Sequence, residues 1–205
     1  MGGYGEYITP SEEECEKIKK RFEIEEEPFF AYTGNIEPRK NIVTILKAFE
    51  IVCDRLNETV SLVLAGKLSW RTEPIIEAIE QNKYKDRIHM PGYISEEEKK
   101  YLMHNACAFV FPSNYEGFGI PVVEAMSCGG IVITADNSSL KEAGGRTAFY
   151  IQKTDDVVQL ADRMVQCFNL SDAERKKLTV NGECWAAQFS WEKCARETQD
   201  VLERG

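Results

Sequence analysis

Two carboxylates and two cations are spaced in ways that could do chemistry. Glu116 and Glu124 lie eight positions apart, and Glu116 opens the segment Glu116-Gly117-Phe118-Gly119-Ile120-Pro121. On one helix, at about 1.5 Å per residue, their backbones would stand roughly 12 Å apart. Paired glycosidase carboxylates act at about 5–5.5 Å or about 6.5–9.5 Å, so a two-carboxylate hydrolase is disfavoured. Two recognition tasks fit better: Glu116, in a loop, can accept hydrogen bonds from a sugar, and Glu124, two turns into a helix, can accept two from a ribose diol. Taken alone, each also fits a solvated or backbone-capping carboxylate. Gly117 and Gly119 permit close approach of a ligand to the backbone, and Pro121 suits the first turn of a helix. The free N–H groups and positive dipole end of that helix make a phosphate site. Arg39-Lys40 could neutralise a diphosphate, Arg as a planar fork and Lys as a point charge. Lys67 is a further, weaker candidate. The Gly-x-Gly lacks a third glycine and so is not a dinucleotide fingerprint, and no Walker A sequence is present. His89 and His104 are the only histidines, too few for a metal cage or a nucleophile triad, so no metal site is expected.

The elements that must position these residues alternate along the chain. Apolar runs at Phe29–Thr33, Val60–Ala65, Arg87–Met90, Ala106–Phe111, Ile131–Thr134 and Ala148–Ile151 read as six strands, the first four ended by Gly34, Gly66, Pro91 and Pro112. Between them come helical patterns: Ile42, Ile45, Leu46, Phe49 and Cys53 at three- and four-residue steps; a helix capped by Thr72 with Pro74 in its first turn; one boxed by Ser95 and Glu98; Gly119–Ser127; and Leu140–Ala143. Three helices close the chain, beginning near Asp155, at Ser171 (boxed by Glu174) and at Ser190. Continuous apolar strands separated by helices imply a doubly wound α/β domain with a six-stranded parallel, Rossmann-like sheet covered on both faces. In the common strand order 3-2-1-4-5-6, the turn Gly34–Lys40 after strand one and the turn Pro112–Gly119 after strand four converge on one crevice. Residues 1–28 read as an acidic helix, begun by Thr9-Pro10, and a linker; residues 29–205 form the domain proper.

Composition limits the partners. Among 205 residues, 25 basic against 34 acidic side chains leave a net charge of −9, and no Lys/Arg run exceeds three residues, so nucleic acid and anionic membrane surfaces are poor partners. Hydrophobic residues make up 43%, enough for a sizeable core. No apolar stretch has the length of a membrane span, and Met1–Glu6 lacks the features of a signal peptide, so a cytoplasmic protein is expected. The seven cysteines include no C-x-x-C pair and are expected to be reduced, buried and structural.

Four motifs at successive strand ends carry a family resemblance. Gly34-Asn35-Ile36-Glu37-Pro38-Arg39-Lys40-Asn41, Leu64-Ala65-Gly66-Lys67, Pro91-Gly92-Tyr93-Ile94 and Pro112–Met126 resemble, in order, the donor-binding domain of group 1 (family 4) retaining glycosyltransferases, the C-terminal half of the GT-B fold. The resemblance runs from Phe29 to Phe189-Ser190-Trp191-Glu192. It implies transfer of a sugar from a nucleotide diphosphate donor, a UDP- or GDP-sugar, with retention and without a bound metal or other cofactor. Arg39, Lys40 and Glu116 would form the catalytic group, with Arg39 and Lys40 on the diphosphate. Gly34, Asn35, Lys67, Gly117, Phe118, Gly119 and Ile120 would line the donor, Glu124 would hold the ribose, and the backbone of Tyr93 and Ile94 would lie beside the base. Members with a Glu-Pro-Arg-Lys-Asn turn often act as mannosyltransferases on surface polysaccharides.

The resemblance is incomplete in three places. Asn35 stands where many members have Arg, Ile131 where a Pro is usual, and Gly144-Gly145-Arg146 replaces a commoner Gly-Asp step. It also implies an N-terminal acceptor-binding domain that this chain lacks, so the chain looks like a fragment or one half of a split enzyme, inactive alone and peripheral to the membrane when complete. The last helix, from Trp191 to Leu202, would then expose an apolar face. A non-catalytic nucleotide-sugar-binding or assembly module is the alternative; a glycogen-phosphorylase-like enzyme would need a pyridoxal phosphate lysine that no motif provides.

Overall fold

Apolar residues on both sides of the strands dictate a sheet buried on both faces. In the computed structural model, which describes residues 10–24 and 27–204, β1 (Phe29–Thr33) and β2 (Ser61–Ala65) are buried at every position. Phe30, Tyr32, Leu62 and Leu64 enter one hydrophobic cluster, whereas Phe29, Ala31, Val63 and Ala65 enter a second on the opposite face. That is the two-residue alternation of a strand, with apolar side chains in both phases. β3 (Ile88–Gly92), β4 (Ala108–Phe111), β5 (Val132–Ala135) and β6 (Phe149–Ile151) complete a sheet ordered β3-β2-β1-β4-β5-β6, every described pairing parallel. Order and class agree with the expectation. β3 is an edge strand, which is why Pro91 is tolerated in it.

The helices cover both faces. α1 (Glu12–Phe22), α2 (Ile42–Arg55), α3 (Glu73–Glu80), α4 (Glu96–Asn105), α5 (Ile120–Ser127), α6 (Leu140–Gly144), α7 (Val157–Phe168), α8 (Asp172–Ala186) and α9 (Trp191–Arg204) follow in chain order. α2 buries Ile42, Ile45, Leu46, Phe49, Val52 and Cys53, the stripe its spacing predicts, and packs beside α7. Complete burial of Phe49 contributes about 1.5–3 kcal/mol, and its truncation to Ala costs about 3–5 kcal/mol because a cavity remains. α1 lies against the sheet: Ile18, Phe22 and Ile24 share the second cluster with Tyr101 and Leu102 of α4.

Local details depart from expectation in several places. Thr9 lies outside the described residues, and α1 is started by Ser11, boxed with Glu14. Thr72 occupies the N-cap of α3 in helical backbone geometry, and its side chain caps nothing. β4 begins at Ala108 because Ala106 ends α4. All seven thiols are free, but only Cys53, Cys128 and Cys167 are buried; Cys15 and Cys107 are half-buried, and Cys184 on α8 and Cys194 on α9 are exposed. Burial pushes the thiol of Cys53 up to about 11 and that of Cys167 up to about 12, against the ion-pairing of nearby arginines.

Candidate functional site

The C-terminal ends of β1 to β4 meet in tight turns. Gly34 donates its N–H to Ala65 O (3.0 Å) and Gly66 donates to Gly92 O (2.8 Å). A Cβ on Gly66, at φ +146°, would lie 1.8 Å from Gly34 O, so the turns after β1 and β2 can approach only with glycine there. Pairing continues past the strands through Ile36 N to Lys67 O (2.9 Å) and Ser69 N to Ile36 O (3.0 Å). Beyond Ile36, a 3-10 turn at Pro38–Lys40 leads into Asn41, which adopts left-handed geometry at φ 61°. The Asn41 side chain donates to Pro112 O (3.3 Å) and to Thr154 O, tying this turn to the end of β4.

The predicted β1 and β4 motifs do meet. Lys40 Nζ lies 2.6 Å from Glu116 Oε1, and Arg39 Nη1 lies 3.0 Å from Glu116 Oε2, so one carboxylate is held by both cations. Arg39 also pairs with Glu37 (2.8 Å) and donates to Tyr115 O (2.7 Å). Lys40 is buried, its ammonium 4.8 Å from the centre of the Phe111 ring, rather than solvated as a basic dipeptide at a helix start usually is. Burial pushes the Glu116 carboxyl up, but hydrogen bonds from Lys40, Ser113 and Arg39 outweigh it and hold the group below the ordinary carboxylate value. Burial opposes the charge of Arg39, yet Glu116 and Glu37 together raise its pKa. The anion that two cations at a helix start call for is, in this structure, a side chain of the chain itself.

The loop carrying Glu116 is fixed from its neighbours. Asn114 N donates to Arg39 O (2.9 Å), Glu116 N to Ser138 Oγ (3.3 Å), and Ser139 Oγ to Glu116 O (2.9 Å). Gly119, at φ +98°, turns the chain into α5, whose N-terminus has no side-chain cap; a Cβ there would stand 2.9 Å from Leu140 Cδ2. The Phe118 side chain packs edge-on against Phe189 with ring centres 5.4 Å apart. Glu124 is not part of the Glu116 cluster: it sits on α5 and meets Lys99 of α4 at 3.3 Å.

The other predicted residues line the same edge of the sheet. Lys67 Nζ lies 5.3 Å from the centre of the exposed Tyr93 ring, and Ile94 turns its side chain toward the second cluster. Arg21 of α1 fixes this turn by donating to Tyr93 O (2.8 Å) and pairing with Glu98. Asn35 O accepts from Tyr32 Oη (2.8 Å). Sequence reasoning missed Glu37, Lys99, Arg21, Ser113, Ser138 and Ser139 as parts of this edge. The Asn137-Ser138-Ser139 run after β5 was the available signal for two of them, since polar loop residues at the end of a neighbouring strand face the same crevice. Among the described residues no group of three or more His, Cys, Asp or Glu is placed to hold a metal, and no helix is long and apolar enough to cross a membrane.

The family model described as "Glycosyl transferases group 1" matches residues 14–185, taking in all these turns. The chain belongs to the group 1 glycosyltransferases. It is similar to the O-antigen chain mannosyltransferase B of Escherichia coli, 33% identical over 193 residues, covering 94% of this chain and 50% of that protein. It is also similar to the MMP alpha-(1->4)-mannosyltransferase of Mycolicibacterium hassiacum, 29% identical, covering 82% of this chain and 40% of that protein. Among solved structures, Anabaena HepE in complex with UDP-glucose superposes with a TM-score of 0.81 at 18% identity, over 96% of this chain and 54% of that one. A glycosyltransferase from Rickettsia africae superposes with a TM-score of 0.84 at 18% identity, over 96% of this chain and 52% of that one. The fold is therefore the Rossmann-like unit of the GT-B glycosyltransferases. This group 1 glycosyltransferase chain spans half or less of the length of the curated relatives it matches.

Proposed function

We propose that the chain is the nucleotide-sugar donor-binding unit of a retaining glycosyltransferase that moves a hexosyl group, of mannosyl type, from a UDP- or GDP-sugar to a saccharide acceptor of a surface polysaccharide. The observation that carries this reading is the meeting of Arg39 and Lys40 with Glu116, which lies 76 residues beyond Lys40, at the ends of adjacent strands. Arg39 and Lys40 bind the diphosphate and stabilise the negative charge that grows on the leaving group, where electrostatic stabilisation acts most strongly. Glu116, with the amides of Gly117, Gly119 and Ile120, holds the sugar and phosphate. Gly34 and Asn35 line the turn beside them, Lys67, Tyr93 and Ile94 stand on the base side, and Glu124 takes the ribose diol. The cations do the work without a metal or cofactor, so binding survives a chelator.

Acceptor binding belongs in this reading to a second domain, consistent with relatives at least twice as long. Trp191, Cys194, Val201 and Leu202 share one stripe of α9, and all are exposed. That stripe is the surface the second domain would cover, in an enzyme working at the cytoplasmic side of a membrane. Calorimetry of the folded chain with UDP-, GDP- and ADP-sugars tests the donor role: one of them binds, and the absence of binding at millimolar ligand contradicts the reading.

A further inference from the structure

Arg39 and Lys40 do not form an empty positive socket. Charges alternate from Glu37 to Arg39 (2.8 Å), Arg39 to Glu116 (3.0 Å) and Glu116 to Lys40 (2.6 Å), so two cations are matched by two carboxylates before any ligand arrives. We propose that Glu116 is a specificity-determining residue: as the resident anion on Arg39 and Lys40, it favours a sugar nucleotide over the sugar-free nucleoside diphosphate. The inference rests on the donor-site reading above and names how that site chooses between donor and product.

A diphosphate entering the site must share its cations with Glu116 or displace it. The carboxylate cannot step aside by taking a proton near neutral pH, because its hydrogen bonds to Lys40, Ser113 and Arg39, offsetting burial, keep it in the ionised form. Its backbone is also held, by Ser138 on the N–H and by Ser139 on the carbonyl, which leaves the side-chain torsions as the freedom to move. A sugar nucleotide rewards that movement. Its phosphates carry one charge each, and the hydroxyls of the sugar can donate to the carboxylate in place of Lys40 and Arg39. The sugar-free diphosphate ends in a phosphate monoester, whose second ionisation near pH about 6 adds negative charge, and it brings no sugar hydroxyl to that position. Like charges held a few ångströms apart in a partly desolvated site repel strongly. The same repulsion hastens loss of the diphosphate once the sugar has left it.

The test is calorimetry on the full chain with GDP, UDP and their sugar derivatives, using wild type and the near-isosteric Glu116→Gln. Wild type is expected to bind the sugar nucleotide at least as tightly as its parent diphosphate. E116Q is expected to bind the parent diphosphate roughly fivefold or more tightly than wild type, and the sugar nucleotide more weakly. Glu116→Ala, which leaves no amide against the cations, must move diphosphate affinity in the same direction. Parent diphosphate bound no more tightly by either variant overturns this inference and leaves the donor-site reading standing. If the variants do not fold, the wild-type ratio decides: a parent diphosphate more than about tenfold tighter than its sugar derivative overturns the inference, and equal or weaker binding supports it. Folded wild type that binds neither ligand overturns the donor-site reading, and this inference with it.

Discussion

Glu116 and Glu124 are the same residue type eight positions apart, and the fold treats them differently. Glu116 lies in the loop before α5, its side chain 12% exposed, gripped by two cations from the β1 turn. Glu124 lies on α5, its side chain 25% exposed, with a single longer contact to Lys99, which Glu96 shares at 2.8 Å. What separates them is the element that carries each. A loop at a strand end can bring a carboxylate against a neighbouring loop, whereas a helix position two turns along reaches only the adjacent helix. The first arrangement builds a stiff charged cluster, and the second leaves a carboxylate with capacity to spare for a ligand.

The contrast can be broken from the Glu116 side first. Lys40→Glu places a third carboxylate beside Glu37 and Glu116 and should weaken any sugar-nucleotide binding by more than about a hundredfold in calorimetry; full retention of affinity would remove Lys40 from the phosphate role. Lys40→Met tests stability separately. Removing one partner of a largely buried pair costs about 3–5 kcal/mol, and Arg39, remaining on the same carboxylate, should hold the loss to roughly 2–3 kcal/mol in urea unfolding. A loss as small as that of an exposed pair would mean the cluster is not structural.

On the Glu124 side, Glu124→Gln should weaken donor binding by about three- to tenfold, through one diol contact, while stability changes by less than about 1 kcal/mol because Lys99 keeps Glu96. Equal stability losses for Lys40→Met and Glu124→Gln would mean that the two carboxylates do not differ in structural role. The smallest effect concerns pH. Glu116 is depressed below its ordinary value of 4.5, so its pairing stabilises the fold fully above that value and is lost as pH falls through the lower folded value. The Tm gap between wild type and Glu116→Gln should be constant above about pH 5.5 and narrow below it.

Much of the frame was legible because its signals are local. Phe29–Thr33 ends at Gly34, Ser95 with Glu98 and Ser171 with Glu174 box their helices, and each signal lies within a few residues of what it controls. The convergence of the Arg39 and Glu116 turns also followed, because strand order fixes which strand ends are neighbours. The pairing of Lys40 with Glu116 did not follow, since nothing within either turn reports on a partner 76 residues away. The same holds for Lys99 and Glu124, and for Arg21 of the N-terminal helix reaching Tyr93 O. Glu37 was hidden for another reason: two residues from Arg39 in sequence, it reads as one more surface charge until the 3-10 turn folds it back onto that guanidinium.

A crystal structure of the chain soaked with the sugar nucleotide that binds best decides whether the Arg39–Lys40–Glu116 cluster is the donor site. The expected density places the diphosphate within hydrogen-bond distance of Arg39 and Lys40, the sugar hydroxyls on Glu116, the ribose on Glu124 and the base beside Tyr93. A nucleotide seated elsewhere, with Glu116 still locked between Arg39 and Lys40, would contradict it.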